Sequence, residues 1–176
     1  MADLTGMTVA FLLTDGFEDS ELTSPWDSVL ASGGTCTLVS PAEGSVTGEH
    51  GHSQAVDVPV STARPADFDA LVLPGGVGNA DSLRLSRPAV EFTRSFFADR
   101  KPVAVICHGA WILAEADVLR GRTLTSYPSL RTDLQNAGAT WMDEEVVVDH
   151  GLVSSRTPHD LPAFNTHLGE QFAAQK

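Results

Sequence analysis

The sequence has few cysteines and no long apolar segment. Only Cys36 and Cys107 occur among its 176 residues, too few for a disulfide framework. Its longest apolar runs are about five residues, far below the roughly 18 that a membrane-spanning helix needs. The first residues, Met1–Gly6, have neither a basic segment nor an apolar core, so a secretory signal peptide is not expected. We therefore predict a cytoplasmic protein whose thiols stay reduced.

Basic residues are also scarce. Lysine and arginine together number 11, while aspartate and glutamate number 23, which gives a formal net charge of −12. A surface with this charge repels nucleic-acid phosphates and anionic lipid headgroups, so neither nucleic acid nor a membrane is expected as a partner. The length suits one domain with its own core, and we predict a single domain over residues 1–176.

Short apolar runs alternate with amphipathic stretches along nearly the whole chain. Continuous apolar runs are typical of parallel strands that are covered on both faces. The pattern predicts an α/β fold, a single three-layer sandwich with a mostly parallel sheet. Strands are predicted at Thr8–Thr14, Thr35–Ser40, Ala55–Val60, Ala70–Leu73, Val103–Ile106, Thr123–Ser126, Val146–Asp149 and Leu152–Ser155. A first helix is predicted to begin at the acidic group Glu18–Glu21 and to end at Gly33, and further helices are predicted at Pro88–Asp99, Gly109–Leu119, Ser129–Ala137 and Leu161–Ala174.

Cys107 is the residue that most strongly indicates chemistry. It follows the predicted strand Val103–Ile106 and precedes the predicted helix Gly109–Leu119, at the sheet edge where α/β proteins place their sites. Such an elbow strains the backbone and turns the side chain into the crevice. The helix N-terminus is expected to favour the thiolate and so to lower the thiol pKa. Cys36 lies within a strand, where inert packing is expected.

Two further groups are expected at the same crevice. Glu18 and Glu21 lie three residues apart on one face of the first helix. A carboxyl buried beside a thiolate would have a raised pKa and would donate a hydrogen bond to sulfur, although acids at this position also simply complement the helix dipole. Gly75 and Gly76 form a tight turn after a strand, and the N–H groups there, with that of His108, are suited to stabilising an oxyanion.

Six short motifs are distributed over nearly the whole sequence. They are Asp15–Leu22, Leu71–Gly76, Ala104–Ala110, Val118–Arg122, Asp133–Gly138 and Ser155–Ala163. Together they resemble the PfpI family of the glutamine-amidotransferase-like superfamily, whose members are called intracellular cysteine proteases, protein deglycases or general stress proteins. The resemblance implies a flavodoxin-like sandwich of the class I glutamine-amidotransferase type.

The resemblance also implies roles for individual residues. It makes Cys107 the nucleophile, with His108 adjacent to it. It places Glu18 and Glu21 around the thiol, with Glu21 as the direct partner of sulfur. It assigns the oxyanion site to the N–H groups of Gly76 and His108. It further implies a homodimer or larger homo-oligomer in which a neighbouring subunit completes the active site.

Two positions depart from the family pattern. The third, acidic member of the triad comes from the neighbouring subunit, and the matching residue here is Asp81, which is shorter than the glutamate of some relatives. His159 stands where the pattern has an acid. Because His108 directly follows Cys107, their side chains are expected to diverge unless another group pulls the imidazole back, and Asp81 is the expected group.

A few other residues offer weaker signals. Trp111 would line the substrate crevice or a subunit contact, with core packing as the alternative, and Tyr127 is positioned to donate a hydrogen bond into the pocket. His50 and His52 beside Glu49 are compatible with a divalent metal, but a solvated loop is the favoured interpretation. We therefore expect neither a metal nor another cofactor.

The residues favour an enzyme in which the Cys107 thiolate attacks an electrophilic carbonyl carbon. Small dicarbonyls or early glycation adducts are the favoured substrates, with peptidase activity on unfolded protein as a lesser one, because peptide cleavage needs a well-oriented acid. The alternative is a non-enzymatic stress sensor or holdase chaperone in which Cys107 is oxidised to a sulfinic acid held by Glu21. Glutaminase-like chemistry is disfavoured because His159 has no fitting glutamate near it.

Overall fold

A seven-stranded sheet forms the centre of the molecule in the computed structural model, which describes residues 2–175. The strands are β1 (Thr8–Leu12), β2 (Thr35–Ser40), β3 (Ser45–Thr47), β4 (Ser53–Ala55), β5 (Val58–Pro59), β6 (Ala70–Leu73), β7 (Val103–Ile106), β8 (Thr123–Leu124), β9 (Thr140–Trp141), β10 (Val146–Asp149) and β11 (Leu152–Ser155). The central sheet has the order β10-β11-β7-β6-β1-β2-β5. All of its neighbouring strands are parallel except β10, which is antiparallel to β11.

Helices cover both faces of this sheet. They are α1 (Asp19–Ala31), α2 (Val77–Leu83), α3 (Arg87–Ala98), α4 (Trp111–Glu115), α5 (Arg131–Asn136) and α6 (Leu161–Ala173). Apolar side chains of α1 and α6 share one core, and those of α2 to α5 share the other. Strand β1 contributes to both, since Val9 and Phe11 face the first core while Ala10 and Leu12 face the second. This confirms the predicted α/β sandwich with a mostly parallel sheet.

Local sequence signals account for the boundaries of the longer helices. Helix α1 begins after Glu18, whose carboxylate accepts a hydrogen bond from the N–H of Ser20 and so satisfies a free donor of the first turn. It ends just before Gly33, which has a φ of +85° and turns the chain away. Helix α3 begins after Ser86, whose hydroxyl accepts from the N–H of Ala89.

The segment after β7 differs from the prediction. Instead of one helix over Gly109–Leu119, a 3₁₀ turn spans Cys107–Ala110 and α4 adds only the five residues Trp111–Glu115. The helix stops there because Asp117 adopts a left-handed backbone with a φ of +54°.

Three other predicted elements are shorter or displaced. Of the strand predicted at Thr123–Ser126, only the first two residues are β, and they pair with β9 outside the central sheet. The helix predicted at Ser129–Ala137 is a 3₁₀ turn at Pro128–Leu130 followed by α5. In place of one strand at Ala55–Val60, the chain forms the end of β4 and the two-residue β5, where Pro59 lacks the N–H that continued pairing needs.

Helix α2 and the β3–β4 pair were not predicted. The seven residues of α2 include only two large apolar side chains, so they show no helical apolar periodicity. None of the helices within residues 2–175 has the length and apolar character required to cross a membrane.

Candidate active site

Cys107 lies at the predicted strained elbow. It follows the last residue of β7 and has a φ of +60°, a left-handed conformation that is rare for a residue with a side chain. Only 8% of its surface is exposed. The turn packs tightly on the end of β6, since a Cβ at Gly109 would lie 2.7 Å from the Pro74 carbonyl oxygen. The expected strain at Cys107 is therefore confirmed, and tertiary packing maintains it.

Glu21 lies beside the thiol and is fully buried in the first turn of α1. Its Oε2 accepts a hydrogen bond of 2.8 Å from the N–H of Gly75, while Oε1 is buried without a hydrogen-bond partner of ordinary geometry among the described residues. Burial raises the pKa of Glu21 from 4.5 to about 8; the Gly75 N–H and the Cys107 thiol oppose this rise, and the charges of Glu18 and Glu49 add to it. Glu21 is therefore protonated at neutral pH and has a proton to donate.

The thiol itself does not match the prediction of a lowered pKa. Burial raises the pKa of Cys107, and an ionised Glu21 beside it raises it further. Hydrogen bonds from the N–H groups of His108 and Gly76 act in the opposite direction. The expected helix N-terminus contributes little because a single 3₁₀ turn begins at Cys107. Since Glu21 is neutral below about pH 8, its charge opposes the thiolate only above that pH.

The turn that supplies these N–H groups depends on Asn79, which the sequence reasoning missed. Asn79 is fully buried in α2 and donates to the carbonyl oxygens of Pro74 (3.2 Å) and Gly75 (3.0 Å). It also accepts from the N–H of Thr14 at 2.7 Å, which ties the turn to the end of β1. The sequence signal that could have identified Asn79 is its position, three residues after Gly76, as a polar residue close to the turn. The N–H of Gly75 donates to Glu21, so the N–H groups that face the sulfur are those of Gly76 and His108, and their role as oxyanion donors stays a prediction.

The imidazole of His108 is turned back onto the thiol, although Asp81, the group expected to pull it back, makes no described contact with it. Its Nδ1 lies 3.4 Å from Cys107 Sγ, and its Nε2 lies 3.3 Å from the Ser129 hydroxyl. The ring stacks on Tyr127 with centroids 4.5 Å apart. Burial lowers the pKa of His108. Groups of the same chain therefore orient the imidazole, and Ser129 was not identified from the sequence.

Tyr127 and Trp111 border the site in different ways. Tyr127 holds His108 through its ring face, and the hydrogen bond from its hydroxyl into the pocket stays a prediction. Trp111 is half-buried, with its ring 6.5 Å from that of His108. It is fixed by a hydrogen bond of 2.9 Å from its Nε1 to Asp133, and the guanidinium of Arg84 lies 4.8 Å from its ring centre. Both aromatic residues thus flank the imidazole.

Glu18 and Asp81 do not contact the thiol in this chain. The Glu18 carboxylate caps α1 and lies 3.1 Å from Nε2 of His50, so it acts on Glu21 through its charge. Asp81 is exposed on α2, and within residues 2–175 no hydrogen bond or ion pair joins it to Cys107. Its role across a subunit interface stays a prediction.

The remaining polar candidates lie away from the sulfur. Ligand atoms of Glu18, Glu49 and His50 fall within 4.8 Å of one another, an exposed cluster that could hold a metal, whereas His52 is directed to Gln54 at 3.1 Å. The expectation of no metal is not tested by this arrangement. His159 is exposed and joins no described hydrogen bond of the site.

Cys36 has a different environment from Cys107. Its thiol lies 3.6 Å from the carbonyl oxygen of Trp26, and burial, with a smaller effect of the Asp27 charge, raises its pKa to about 12. No protonated acid or pair of converging N–H groups surrounds it in the described structure. Structural packing is the role that this environment supports.

Several known proteins are similar to this chain in sequence, in fold or in both. Protein/nucleic acid deglycase 2 of Escherichia coli is 49% identical over 160 residues, covering 89% of this chain and 92% of that protein. General stress protein 18 of Bacillus subtilis is 44% identical over 163 residues, covering 91% and 94%. A ThiJ/PfpI domain protein from Brachyspira murdochii has the same fold, with a TM-score of 0.90 over 95% of this chain and 96% of that one at 23% identity. The DJ-1/PfpI family model matches residues 7–171, and the chain belongs to that family.

Proposed function

We propose that the protein is a cysteine-dependent hydrolase of small dicarbonyls or their early glycation adducts on protein. The fully buried Glu21, whose pKa is raised by that burial, lies beside the strained thiol of Cys107, and this arrangement is the observation that carries the proposal. The name of the E. coli relative, a deglycase, supports the same class of reaction. The name of the B. subtilis relative supports a role in stress.

The first step is addition of sulfur to an aldehyde or ketone carbon. The Cys107 sulfur forms a bond to that carbon as the carbonyl π bond breaks, and the electron pair moves onto oxygen. The N–H groups of Gly76 and His108, which already point to the sulfur, stabilise the developing oxyanion. Glu21 donates its proton to that oxygen, and the thiol proton restores the carboxyl, which gives a neutral hemithioacetal. In the adduct of a dicarbonyl, His108 as base then moves the hydrogen of the former aldehyde carbon to the neighbouring carbonyl carbon, which converts the hemithioacetal to the thioester of a hydroxy acid without an outside oxidant or reductant. Water adds to this thioester and the carbon–sulfur bond breaks, which releases the hydroxy acid and restores the thiol.

Peptide cleavage demands more of His108 than this site provides. An amine leaving group must be protonated, which requires an imidazolium held by an acid. Burial lowers the pKa of His108, and a neutral hydroxyl of Ser129 faces its Nε2 in the described chain. The imidazole is thus a base rather than an acid at neutral pH. We therefore rank peptidase activity below dicarbonyl chemistry.

A non-enzymatic oxidative-stress sensor is the second candidate. A sulfinate formed at Cys107 would accept hydrogen bonds from the protonated Glu21 and from the N–H groups of Gly76 and His108. The same pocket thus suits an oxidised thiol. Peroxide treatment that creates a chaperone activity in a protein without dicarbonyl turnover would favour this candidate.

We also propose a cytoplasmic homodimer or larger homo-oligomer in which Asp81 of one subunit approaches the site of another. The exposed position of Asp81 on α2 supports this arrangement. Two unpaired cysteines fit a reducing compartment. Although the name of the E. coli relative includes nucleic acid, the net charge of −12 favours protein or small-molecule substrates here.

Methylglyoxal turnover by the purified protein tests the proposed activity. We expect turnover that disappears in Cys107→Ser and falls strongly in Glu21→Gln, because the first change removes the nucleophile and the second removes the proton donor. Cys36→Ser, which alters the other thiol, is the matched control and should retain full activity. Efficient casein cleavage without dicarbonyl turnover, in a preparation free of other proteases, would reverse our ranking of the two reactions.

A further inference from the structure

Two carboxylates and an imidazole converge at the start of α1, away from the sulfur of Cys107. One ligand atom from each of Glu18, Glu49 and His50 lies within 4.8 Å of the other two, and Nε2 of His50 is 3.1 Å from Oε2 of Glu18. Glu18 directly precedes α1, whereas Glu49 and His50 lie in the turn between β3 and β4. The sequence placed only His52 beside this pair, so the fold supplies the third donor, Glu18.

The backbone of the β3–β4 turn is tied to the first residues of α1. The Asp19 carboxylate accepts a hydrogen bond of 3.2 Å from the N–H of His50. A Cβ at Gly48 would overlap that carboxylate, so the absence of a side chain there allows the contact. The N–H of Glu49 donates to the carbonyl oxygen of Phe17 at 2.8 Å. Protein contacts therefore hold the backbone of Glu49 and His50 in place, which reduces the entropy that ligand binding would cost.

Glu18 uses its two carboxylate oxygens differently. Its Oε1 accepts hydrogen bonds from the N–H of Ser20 at 3.3 Å and from the Ser20 hydroxyl at 2.9 Å. Its Oε2 faces the imidazole of His50. Only 18% of the Glu18 side chain is exposed. The helix cap thus orients the carboxylate while one oxygen remains directed to the cluster.

The charge of the cluster favours a cation. Within residues 2–175, Glu18 forms an ion pair with His50 alone, and no lysine or arginine forms one with Glu49. Two like charges held this close repel each other unless a positive group lies between them. The N-terminus of α1 carries about half a positive elementary charge, which opposes a cation but is smaller than the two full negative charges. A divalent ion would neutralise both carboxylates.

We propose that Glu18, Glu49 and His50 bind a divalent transition-metal ion of the zinc type. Proteins bind Zn²⁺ through imidazole nitrogen and carboxylate oxygen, and three protein ligands with one water are a common set. Tetrahedral ligands about 2.0–2.1 Å from zinc lie about 3.3 Å apart, close to the 3.1 Å between His50 and Glu18. The exposed side chain of Glu49 can rotate to complete the set. The imidazole disfavours Mg²⁺ and Ca²⁺, which prefer oxygen ligands. This site is independent of the chemistry proposed for Cys107.

Isothermal titration of the untagged full chain with zinc chloride tests the proposal. The parent for this test carries both Cys36→Ser and Cys107→Ser, so that no thiol competes for the ion. We expect saturable binding of about one Zn²⁺ per chain and no saturable binding of Mg²⁺ at the same concentrations. His50→Gln and Glu49→Gln should each weaken zinc binding at least about tenfold, because even residues that only support a metal ligand contribute about 10–100-fold to affinity.

His159→Gln and Glu43→Gln are the matched controls, since both residues are exposed and outside the cluster. Unfolding temperatures without zinc show that each variant keeps its fold, and zinc should raise that temperature in the parent and the controls far more than in His50→Gln. Zinc binding that only the two cluster variants weaken would support the site. The proposal is wrong if zinc does not saturate, if His50→Gln and His159→Gln weaken binding equally, or if Mg²⁺ binds as tightly as Zn²⁺, because each result indicates diffuse attraction to an acidic surface. Zinc binding by the wild-type protein that is lost in the double serine variant would place the ion at a thiol and would also overturn the proposal.

Discussion

At the scale of single residues, Glu21 shows how burial converts an ordinary acid into a proton donor. Its surroundings supply one N–H and a thiol, which do not offset the desolvation of a full negative charge. The proton therefore stays on the carboxyl to about pH 8. At alkaline pH the buried carboxyl ionises, and this lowers the free energy of unfolding.

Replacing Glu21 with glutamine should make stability less dependent on pH. The pKa is raised from 4.5 to about 8 on folding, so the carboxyl contributes stability that is fully present below pH 4.5 and lost as pH rises to about 8. We expect Glu21→Gln to increase the free energy of unfolding by several kcal/mol at pH 8.5 and by much less at pH 5. Denaturant titrations at the two pH values measure this difference. Glu43→Gln, an exposed acid, is the control, and equal gains at both pH values would contradict the raised pKa.

Ser129 should act as a positioning residue for His108. Its hydroxyl faces Nε2 at 3.3 Å, and a neutral hydrogen bond is worth about 1 kcal/mol. We expect Ser129→Ala to lower kcat/KM for methylglyoxal about fivefold and to broaden the imidazole NMR signals of His108. Thr132→Ala, an exposed position on α5, should change neither quantity. Unchanged kinetics and unchanged imidazole signals in Ser129→Ala would remove Ser129 from the site.

At the scale of elements, the site depends on how closely three short segments approach each other. The turn after β6, the elbow after β7 and the first turn of α1 meet where Gly75 lies. A Cβ at Gly75 would overlap Glu21 Oε2 and lie 2.7 Å from the Cβ of Cys107. The absence of a side chain at this position allows the acid and the thiol to meet.

Gly75→Ala should therefore inactivate the protein and destabilise it by about 1–3 kcal/mol through overpacking. Gly78→Ala is the matched control, because its nearest neighbour would be 3.8 Å away and alanine favours helix in α2. We expect that control to keep its activity and to be slightly more stable. Thermal unfolding and methylglyoxal turnover measure both effects. If Gly75→Ala kept its activity, the turn could move away from Glu21 without loss of methylglyoxal turnover, and the close approach at Gly75 would not be required.

At the scale of the whole molecule, one chain leaves part of the site region uncovered. Asp81 is exposed, and two large apolar side chains near it are exposed as well, Val77 at 51% and Leu85 at 85%. Apolar exposure of this kind beside a charged residue is compatible with a contact between subunits. It is the region in which the proposed shared site would form.

Asp81→Ala should reduce dicarbonyl turnover while the far-ultraviolet spectrum and the unfolding temperature stay unchanged. The loss should be far smaller than the about 10⁴-fold that a serine protease loses without its triad acid, because Ser129 and Tyr127 already hold the imidazole. Glu43→Ala is the control for lost surface charge. Full activity in a sample that sedimentation shows to be monomeric would contradict a shared site.

The sequence by itself determined the central strands and the elbow at Cys107, while the approach of Glu21 to the thiol was implied by the family resemblance and left open by its spacing. Strands such as β6 and β7 are continuous apolar runs that end at turn signals, so local pattern was enough to locate them. Short elements without such a pattern, α2 above all, were missed, and the helix after Cys107 was predicted too long because Asp117 shows no local signal for its left-handed backbone.

Only the tertiary structure decided the protonation of the site and the direction of the imidazole. The raised pKa of Glu21 depends on complete burial by segments that are distant in sequence. Burial likewise raises the pKa of Cys107, which was predicted to be lowered. Ser129 lies 21 residues after His108, and the sequence holds no mark of their contact. Local pattern specifies which residues form each strand, whereas desolvation and side-chain partners arise only when separate segments pack together.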